Sequence, residues 1–272
     1  MPTDLDDLAS KVREDSVSGS SEIAFYVLER LHDVLSKTGI DREQLLNFSD
    51  LLRKAKPAMA PMYNVARMLE TAANGPEPEK AALLAVERVI STEKMVPARI
   101  TEKALERIEG TVLTLSYSGT VVSVLKAVAK EKEIRVIVAE SLPRGEGRKT
   151  AELLTKVGIE TVLITDSMVF SEARNSDLCL VGADAITPEA LINKVGTYGM
   201  TLASVQAGIP AYIISSTLKI TSELKPDWII KENTKGKLTE RTQLFEPVPL
   251  ELFAEAFTEL GSSKPTRLFR MR

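Results

Sequence analysis

A short polar turn at residues 116–120 is the strongest candidate for ligand chemistry in this chain. It follows the apolar, β-branched run 111–115, and a helical pattern at 121–128 follows it. A strand that leads through small residues into a helix presents backbone N–H groups and the positive end of the helix dipole to an anion. Many such turns bind nothing, so the prediction of a phosphate site depends on the other strand ends. The candidate residues are Ser116, Ser118, Gly119 and Thr120.

Polar side chains stand at the ends of other apolar runs in the same way. Cations and amides hold a phosphate while a carboxylate binds hydroxyl groups, so this combination of side chains predicts a polyol phosphate as the ligand. The side chains are Glu140, Arg144 and Arg148 after residues 134–139, Asp184 after 178–181, and Asn193 and Lys194 before the helical pattern at 200–207.

Each of these side chains also has a purely structural interpretation. Asp184 could cap a turn, and Lys194 could be a solvated loop lysine. Arg144 and Arg148 lie in a glycine-rich loop, where exposure to solvent is the default. For Glu140 we expect a bracing role, in which the carboxylate accepts backbone N–H bonds from that loop.

Composition excludes several classes of function. The net charge is −3 and the pI about 5.6, which gives no general case for binding nucleic acid. Cys179 is the only cysteine, so an internal disulfide and cysteine-rich metal sites are excluded, and its apolar surroundings predict a core residue. His32 is the only histidine and lies in a helical pattern, which disfavours a Ser-His-Asp triad. We predict neither a metal nor a cofactor.

Length and hydrophobicity indicate a cytoplasmic protein. A chain of 272 residues with 44% apolar side chains can form one large or two modest domains. No stretch reaches the roughly 18 consecutive apolar residues of a membrane span. The chain starts with an acidic segment, unlike a signal peptide.

The sequence divides into a helical part and an α/β part. Residues 1–107 carry helical periodicity, with Asp41 as the expected N-cap of one helix and a bend expected at Pro97. Residues 108–272 alternate short apolar runs with helical patterns, and we expect a last short helix at 251–260. The predicted strands are 111–115, 134–139, 161–164, 178–181 and 211–214.

Such an alternation predicts a doubly wound, mainly parallel sheet covered by helices on both faces. The fold class is therefore α/β, with an all-α N-terminal domain. Ligands of doubly wound folds bind at the carboxyl ends of the strands. We accordingly predict one cavity at that end, lined by Ser116, Ser118, Gly119, Arg144, Asp184, Asn193 and Lys194.

Five segments in order resemble the superfamily of the translation initiation factor 2B α, β and δ subunits. The same superfamily contains methylthioribose-1-phosphate isomerase and ribose-1,5-bisphosphate isomerase. The resemblance implies a helical domain followed by a Rossmann-like domain without a dinucleotide, and a homodimer or higher homo-oligomer paired through the C-terminal domain. It also implies a place for Lys56 among the phosphate-binding residues. The five segments are 56–64, 114–119, 140–143, 181–184 and 193–197.

Departures from the isomerase pattern decide which branch we favour. The isomerases typically read Thr-His-Cys-Asn-Ser where this chain has Ser116 at the cysteine position and Leu115 at the histidine position. Leu142 and Lys56 stand where arginines are expected, whereas Asp184 and Lys194 are retained. A serine hydroxyl cannot exchange protons near neutral pH as a thiol can.

The resemblance therefore leaves two hypotheses. The favoured one is a regulatory protein that binds a phosphorylated sugar or nucleoside monophosphate and associates with itself and with initiation factor 2. The alternative is an aldose–ketose isomerase acting on a ribose 1-phosphate or 1,5-bisphosphate. In that case Asp184 would be the surviving acid/base, and Ser116 would replace its thiol partner.

Overall fold

The chain forms two compact units, residues 1–95 and 96–272. The structure, a computed structural model, describes residues 4–15, 17–37, 39–224 and 230–270. The units divide within one long helix, α5 (Pro78–Ala104), whereas the change from helices to strands lies between Ala104 and Gly110. The domain boundary at 107/108 stays a prediction.

The first unit is built from helices. These are α1 (Asp4–Glu14), α2 (Ser20–Lys37), α3 (Arg42–Ala55), α4 (Ala60–Ala73) and the first part of α5. Asp41 begins α3 through a capping box, in which its carboxylate accepts from the backbone N–H of Gln44 at 2.9 Å. Among the residues described between 4 and 95 there is no strand, which confirms the helical N-terminal region.

A seven-stranded sheet organises the second unit. The strands follow the order β12-β11-β7-β4-β1-β2-β3, and all pair in parallel except β12, which is antiparallel to β11. The chain runs outward from β1 to β3 and then returns to the other side of β1, so the switch point lies between β1 and β4. The strands are β1 (Gly110–Leu115), β2 (Ile134–Ala139), β3 (Glu160–Ile164), β4 (Leu178–Val181), β7 (Ala211–Ile214), β11 (Glu255–Thr258) and β12 (Gly261–Ser263).

Helices cover both faces of this sheet because successive side chains of each strand point to opposite faces. One core contains Val112, Leu178 and Leu180 with residues of α6 (Gly119–Val128), α7 (Gly147–Thr155) and the end of α5. The other core contains Leu113, Cys179 and Val181 with residues of α8 (Val169–Glu172) and α9 (Thr197–Ala207). The predicted doubly wound α/β fold is confirmed.

Smaller β elements complete the unit. An antiparallel sheet has the order β10-β6-β5, and β8 pairs only with β9 as an exposed hairpin. The prediction of a helix at 251–260 is wrong, since Glu255–Thr258 is a strand of the main sheet that pairs with β7 on one side and β12 on the other. The remaining strands are β5 (Ala185–Ile186), β6 (Ala190–Lys194), β8 (Ile230–Lys235), β9 (Leu238–Gln243) and β10 (Phe245–Pro249).

Candidate functional site at the carboxyl end of the sheet

Ser116, directly after β1, has an unusual backbone conformation, and its backbone groups form hydrogen bonds with neighbouring elements. Its φ is 58°, in the left-handed region that residues other than glycine rarely adopt. Its N–H donates to the carbonyl of Ala139 at the end of β2 at 3.3 Å. Its carbonyl accepts from Thr150 Oγ1 of α7 at 2.7 Å. The turn is therefore fixed by contacts to both β2 and α7.

Ser118 joins the ends of β1 and β4 at the switch point. Its Oγ caps α6 by accepting from the backbone N–H of Val121 at 3.4 Å. Gly182, directly after β4, lies so close that a Cβ there would be 2.6 Å from Ser118 Oγ. Only glycine fits without displacing the serine. The turn before α6 and the segment leading to Asp184 are thus direct neighbours.

Asp184 is held in place through the backbone around it. Its N–H donates to the carbonyl of Ile192 on β6 at 3.0 Å, which joins it to the strand that carries Asn193 and Lys194. The preceding carbonyl, of Ala183, accepts from Lys219 Nζ at 2.7 Å. Lys219 follows β7 and is 3% exposed. Lys219 was not among the predicted site residues, although it lies in the polar segment that follows β7, a placement like that of the other candidates.

The loop between β2 and α7 is braced by a residue that was not predicted. Asp166 accepts the N–H groups of Ser141 and Leu142, each at 2.7 Å. The Glu140 carboxylate, for which we expected that role, accepts from Arg148 Nη2 at 2.7 Å. Arg144 lies on the same loop and is exposed to solvent.

Gly147 allows α7 to begin directly against the end of β2. A Cβ on Gly147 would lie 2.1 Å from the carbonyl oxygen of Ala139, a distance that only backbone movement could relieve. Gly147 N–H donates to the carbonyl of Glu140 at 3.0 Å. This contact brings the start of α7 to the same edge as the turn at Ser116.

Lys194 is buried and forms an ion pair within the site. Its side chain is 6% exposed, and Nζ donates to both carboxylate oxygens of Glu146 at 2.8 Å. Asn193 donates from Nδ2 to Thr197 Oγ1 at 3.0 Å. Both side chains are therefore ordered by contacts within the unit, and Lys194 is not the solvated loop lysine of the structural interpretation.

The N-terminus of α9 is occupied by a carboxylate from β10. Glu246 Oε1 accepts the N–H groups of Gly196 and Tyr198, each at 2.8 Å. Burial raises the pKa of Glu246 above its ordinary value of 4.5, and the backbone N–H bonds from Tyr198, Gly196 and Thr197 oppose this shift without cancelling it. The carboxylate takes the position that an anionic ligand would otherwise occupy at this helix.

The chain's only thiol and only imidazole are Cys179 of β4 and His32 of α2. Cys179 is buried inside β4, where burial raises the pKa of its thiol to about 12. His32 belongs to α2 in the first unit and lies 3.3 Å from the Glu87 carboxylate. Lys56 also belongs to the first unit, where its ammonium donates to the carbonyl of Arg13 at 3.1 Å.

Neither a metal site nor a membrane helix is visible in the ranges that the structure describes. No group of three or more His, Cys, Asp or Glu side chains there could hold a metal ion. Nor does any helix in those ranges combine the length and apolar character needed to cross a bilayer.

Comparison with known proteins places the chain among initiation factor 2B relatives. Residues 16–265 match the model of the Initiation factor 2 subunit family. A translation initiation factor eIF-2B subunit 2-like protein of Pyrococcus horikoshii is 28% identical over 98% of this chain and 99% of its own length. A ribose 1,5-bisphosphate isomerase of Archaeoglobus fulgidus is also 28% identical, over 94% of this chain and 88% of its own.

Solved structures agree with this placement. The crystal structure of the P. horikoshii translation initiation factor eIF-2B matches with a TM-score of 0.84 and 26% identity, over 98% of this chain and 99% of that one. The tetrameric eIF2B β2δ2 complex from C. thermophilum matches with a TM-score of 0.76 and 17% identity, over 98% of this chain and 92% of that one. The second likeness is one of fold, and it shows that proteins with this fold form oligomers.

Proposed function

The chain belongs to the initiation factor 2 subunit family, and we propose that within this family it binds a phosphorylated sugar or nucleoside monophosphate without converting it. One observation carries the proposal. The residue directly after β1 is Ser116, while the chain's only thiol, Cys179, is buried inside β4 with a pKa raised to about 12.

Aldose–ketose isomerisation moves a proton between two adjacent carbons, which requires groups that both take and give a proton near neutral pH. The chain's only histidine is His32, on a helix of the first unit. Asp184 is retained, but Ser116 stands where the isomerases have a thiol, so this pair of positions supplies one of the two groups such a transfer needs.

Binding needs fewer groups, and these are present. The β1–α6 turn supplies Ser118, Gly119 and Thr120 at a helix N-terminus for the phosphate. Asp184, on the neighbouring strand end, accepts hydrogen bonds from ligand hydroxyls in this proposal. Arg144 and Asn193 belong to segments at the same edge and complete the proposed set, whereas Lys194, whose ammonium is paired with Glu146, holds its segment in place.

Self-association through the second unit is part of the proposal. Four large side chains on α8 and α9 are exposed, Phe170, Tyr198, Leu202 and Val205. Tyr198, Leu202 and Val205 lie on one side of α9, and α8 with Phe170 contacts that helix; exposed apolar side chains commonly mark protein interfaces. Association with initiation factor 2 and a cytoplasmic location stay predictions.

The isomerase remains the second candidate because the A. fulgidus relative carries that name and because Asp184 is retained. The discriminating experiment incubates the protein with ribose 1,5-bisphosphate and with methylthioribose 1-phosphate, and follows ketose formation by NMR. We expect no ketose product. Calorimetric titration with ribose 5-phosphate and AMP should show binding.

Two variants sharpen this test. Ser118→Ala should weaken phosphate binding, whereas Ser123→Ala, at an exposed position of the same helix, should not. Robust ketose formation by the unmodified protein would overturn the binding proposal in favour of the isomerase. Ketose formation that survives Asp184→Asn would remove Asp184 from the isomerase mechanism.

A further inference from the structure

We propose that the site accepts a ligand with one phosphate group and rejects a bisphosphate, because Glu146 and Glu246 already fill the second anion position. This inference rests on the proposed function, since it concerns the ligand of the same site.

Glu146 supplies one of the two carboxylates that fill the second anion position. Both of its oxygens lie 2.8 Å from Lys194 Nζ, and the two side chains are 21% and 6% exposed. A buried ammonium needs an anionic partner, and here the chain provides it. A second phosphate could bind Lys194 only by displacing a carboxylate that is already held at short distance.

Glu246 of β10 supplies the second negative charge, at the backbone N–H groups that begin two residues after Lys194. The N–H groups of Gly196 and Tyr198 at the start of α9 point to its Oε1 at 2.8 Å. Lys194 and these amides belong to one continuous segment, and both are met by carboxylates. A cation and a helix N-terminus would otherwise attract a second phosphate to this segment. Because carboxylates already occupy both, a second phosphate would meet negative charge there instead.

The N-terminus of α6 differs in this respect. Its cap is the hydroxyl of Ser118, which is neutral, so the helix dipole there is not cancelled by the capping side chain. A neutral cap at α6 and a carboxylate cap at α9 leave one favoured position for a phosphate at this edge of the sheet.

The balance of charged side chains around the strand ends also disfavours a bisphosphate. Acidic side chains at this edge are at least as numerous as basic ones, so a bisphosphate, with about twice the negative charge of a monophosphate, meets no matching positive field. The acidic residues are Glu140, Glu146, Asp166, Asp184, Glu246 and Glu259, and the basic ones are Arg144, Arg148, Lys149, Lys194 and Lys219.

Calorimetric titration of the full chain with ribose 5-phosphate and with ribose 1,5-bisphosphate tests the inference. For the unmodified protein we expect the bisphosphate to bind at least about tenfold more weakly. Glu146→Gln keeps an oxygen acceptor for Lys194 but removes the negative charge. It should improve bisphosphate affinity about tenfold and change monophosphate affinity less than about twofold. Glu152→Gln, at an exposed position of α7, is the matched control and should change neither.

The outcomes separate this inference from the proposal on which it rests. If the bisphosphate binds the unmodified protein as tightly as the monophosphate, the inference is wrong and the proposed function stands. If Glu146→Gln strengthens both ligands equally, Glu146 does not select between them and the inference is also wrong. If neither ligand binds, the proposed function fails and the inference fails with it. Should Glu146→Gln not fold, the preference of the unmodified protein still decides the matter.

Discussion

Lys219 shows how a single buried cation can fix a segment that carries a candidate site residue. Its side chain is 3% exposed, and its Nζ donates to the carbonyl of Ala183, one residue before Asp184. We expect Lys219→Met to lower the free energy of unfolding by about 1–3 kcal/mol, because a buried carbonyl loses a charged donor. Urea denaturation measures this change. Lys130→Met, at an exposed position after α6, should change stability by less than about 0.5 kcal/mol, and an equal loss in both variants would contradict the assignment.

Sequence patterns predicted residues beside local signals and missed residues that are defined by contacts with distant parts of the chain. Asp184 and Lys194 could be found because each stands beside a recognisable apolar run or helix start. The partners that define their surroundings lie far away in sequence, with Glu146 separated from Lys194 by 48 positions and Lys219 from Ala183 by 36. No local pattern predicts such pairs, since tertiary packing alone creates them.

At the scale of elements, strands with strong local patterns were predictable, and strands defined by pairing with distant segments were not. The five predicted strands correspond to β1, β2, β3, β4 and β7, whose short apolar runs identify them on their own. β6 is short and ends in Asn193 and Lys194, and it becomes a strand by pairing with β10. β11 lies where Phe253, Phe257 and Leu260 recur at helical spacing, and pairing with β7 overrides that pattern.

The carboxylate that β10 places at α9 has a testable pH dependence. Burial raises the pKa of Glu246 above 4.5, so the folded chain holds this proton more tightly than the unfolded chain. Its contribution to stability is therefore full below about pH 4.5 and is lost as the pH rises through the raised pKa. Glu246→Gln does not titrate at this position. The unfolding free energy of the unmodified protein minus that of the variant should fall as the pH rises above the ordinary value of 4.5 in urea denaturation. A difference that stays constant or grows with pH would contradict this assignment.

At the scale of the whole molecule, α9 presents an apolar face to solvent. Tyr198, Leu202 and Val205 recur along one side of the helix, and the helix carries no charged residue. An uncharged apolar face suits pairing with an identical face, since a twofold interface uses the same surface patch on both subunits. Such a face on the second unit supports the proposed homo-oligomer.

A charge placed on that face should separate the subunits. Val205 is 52% exposed, and Val205→Asp would place a carboxylate of each subunit in an apolar interface that cannot solvate it. Val157, 53% exposed in the turn between α7 and β3, offers the same substitution away from this face. Size-exclusion chromatography with light scattering should give at least about twice 29.8 kDa for the unmodified protein and for Val157→Asp, and 29.8 kDa for Val205→Asp. Circular dichroism checks that both variants are folded. A folded Val205→Asp variant that keeps the full oligomeric mass would exclude this face as the interface, and a monomeric unmodified protein would exclude the homo-oligomer altogether.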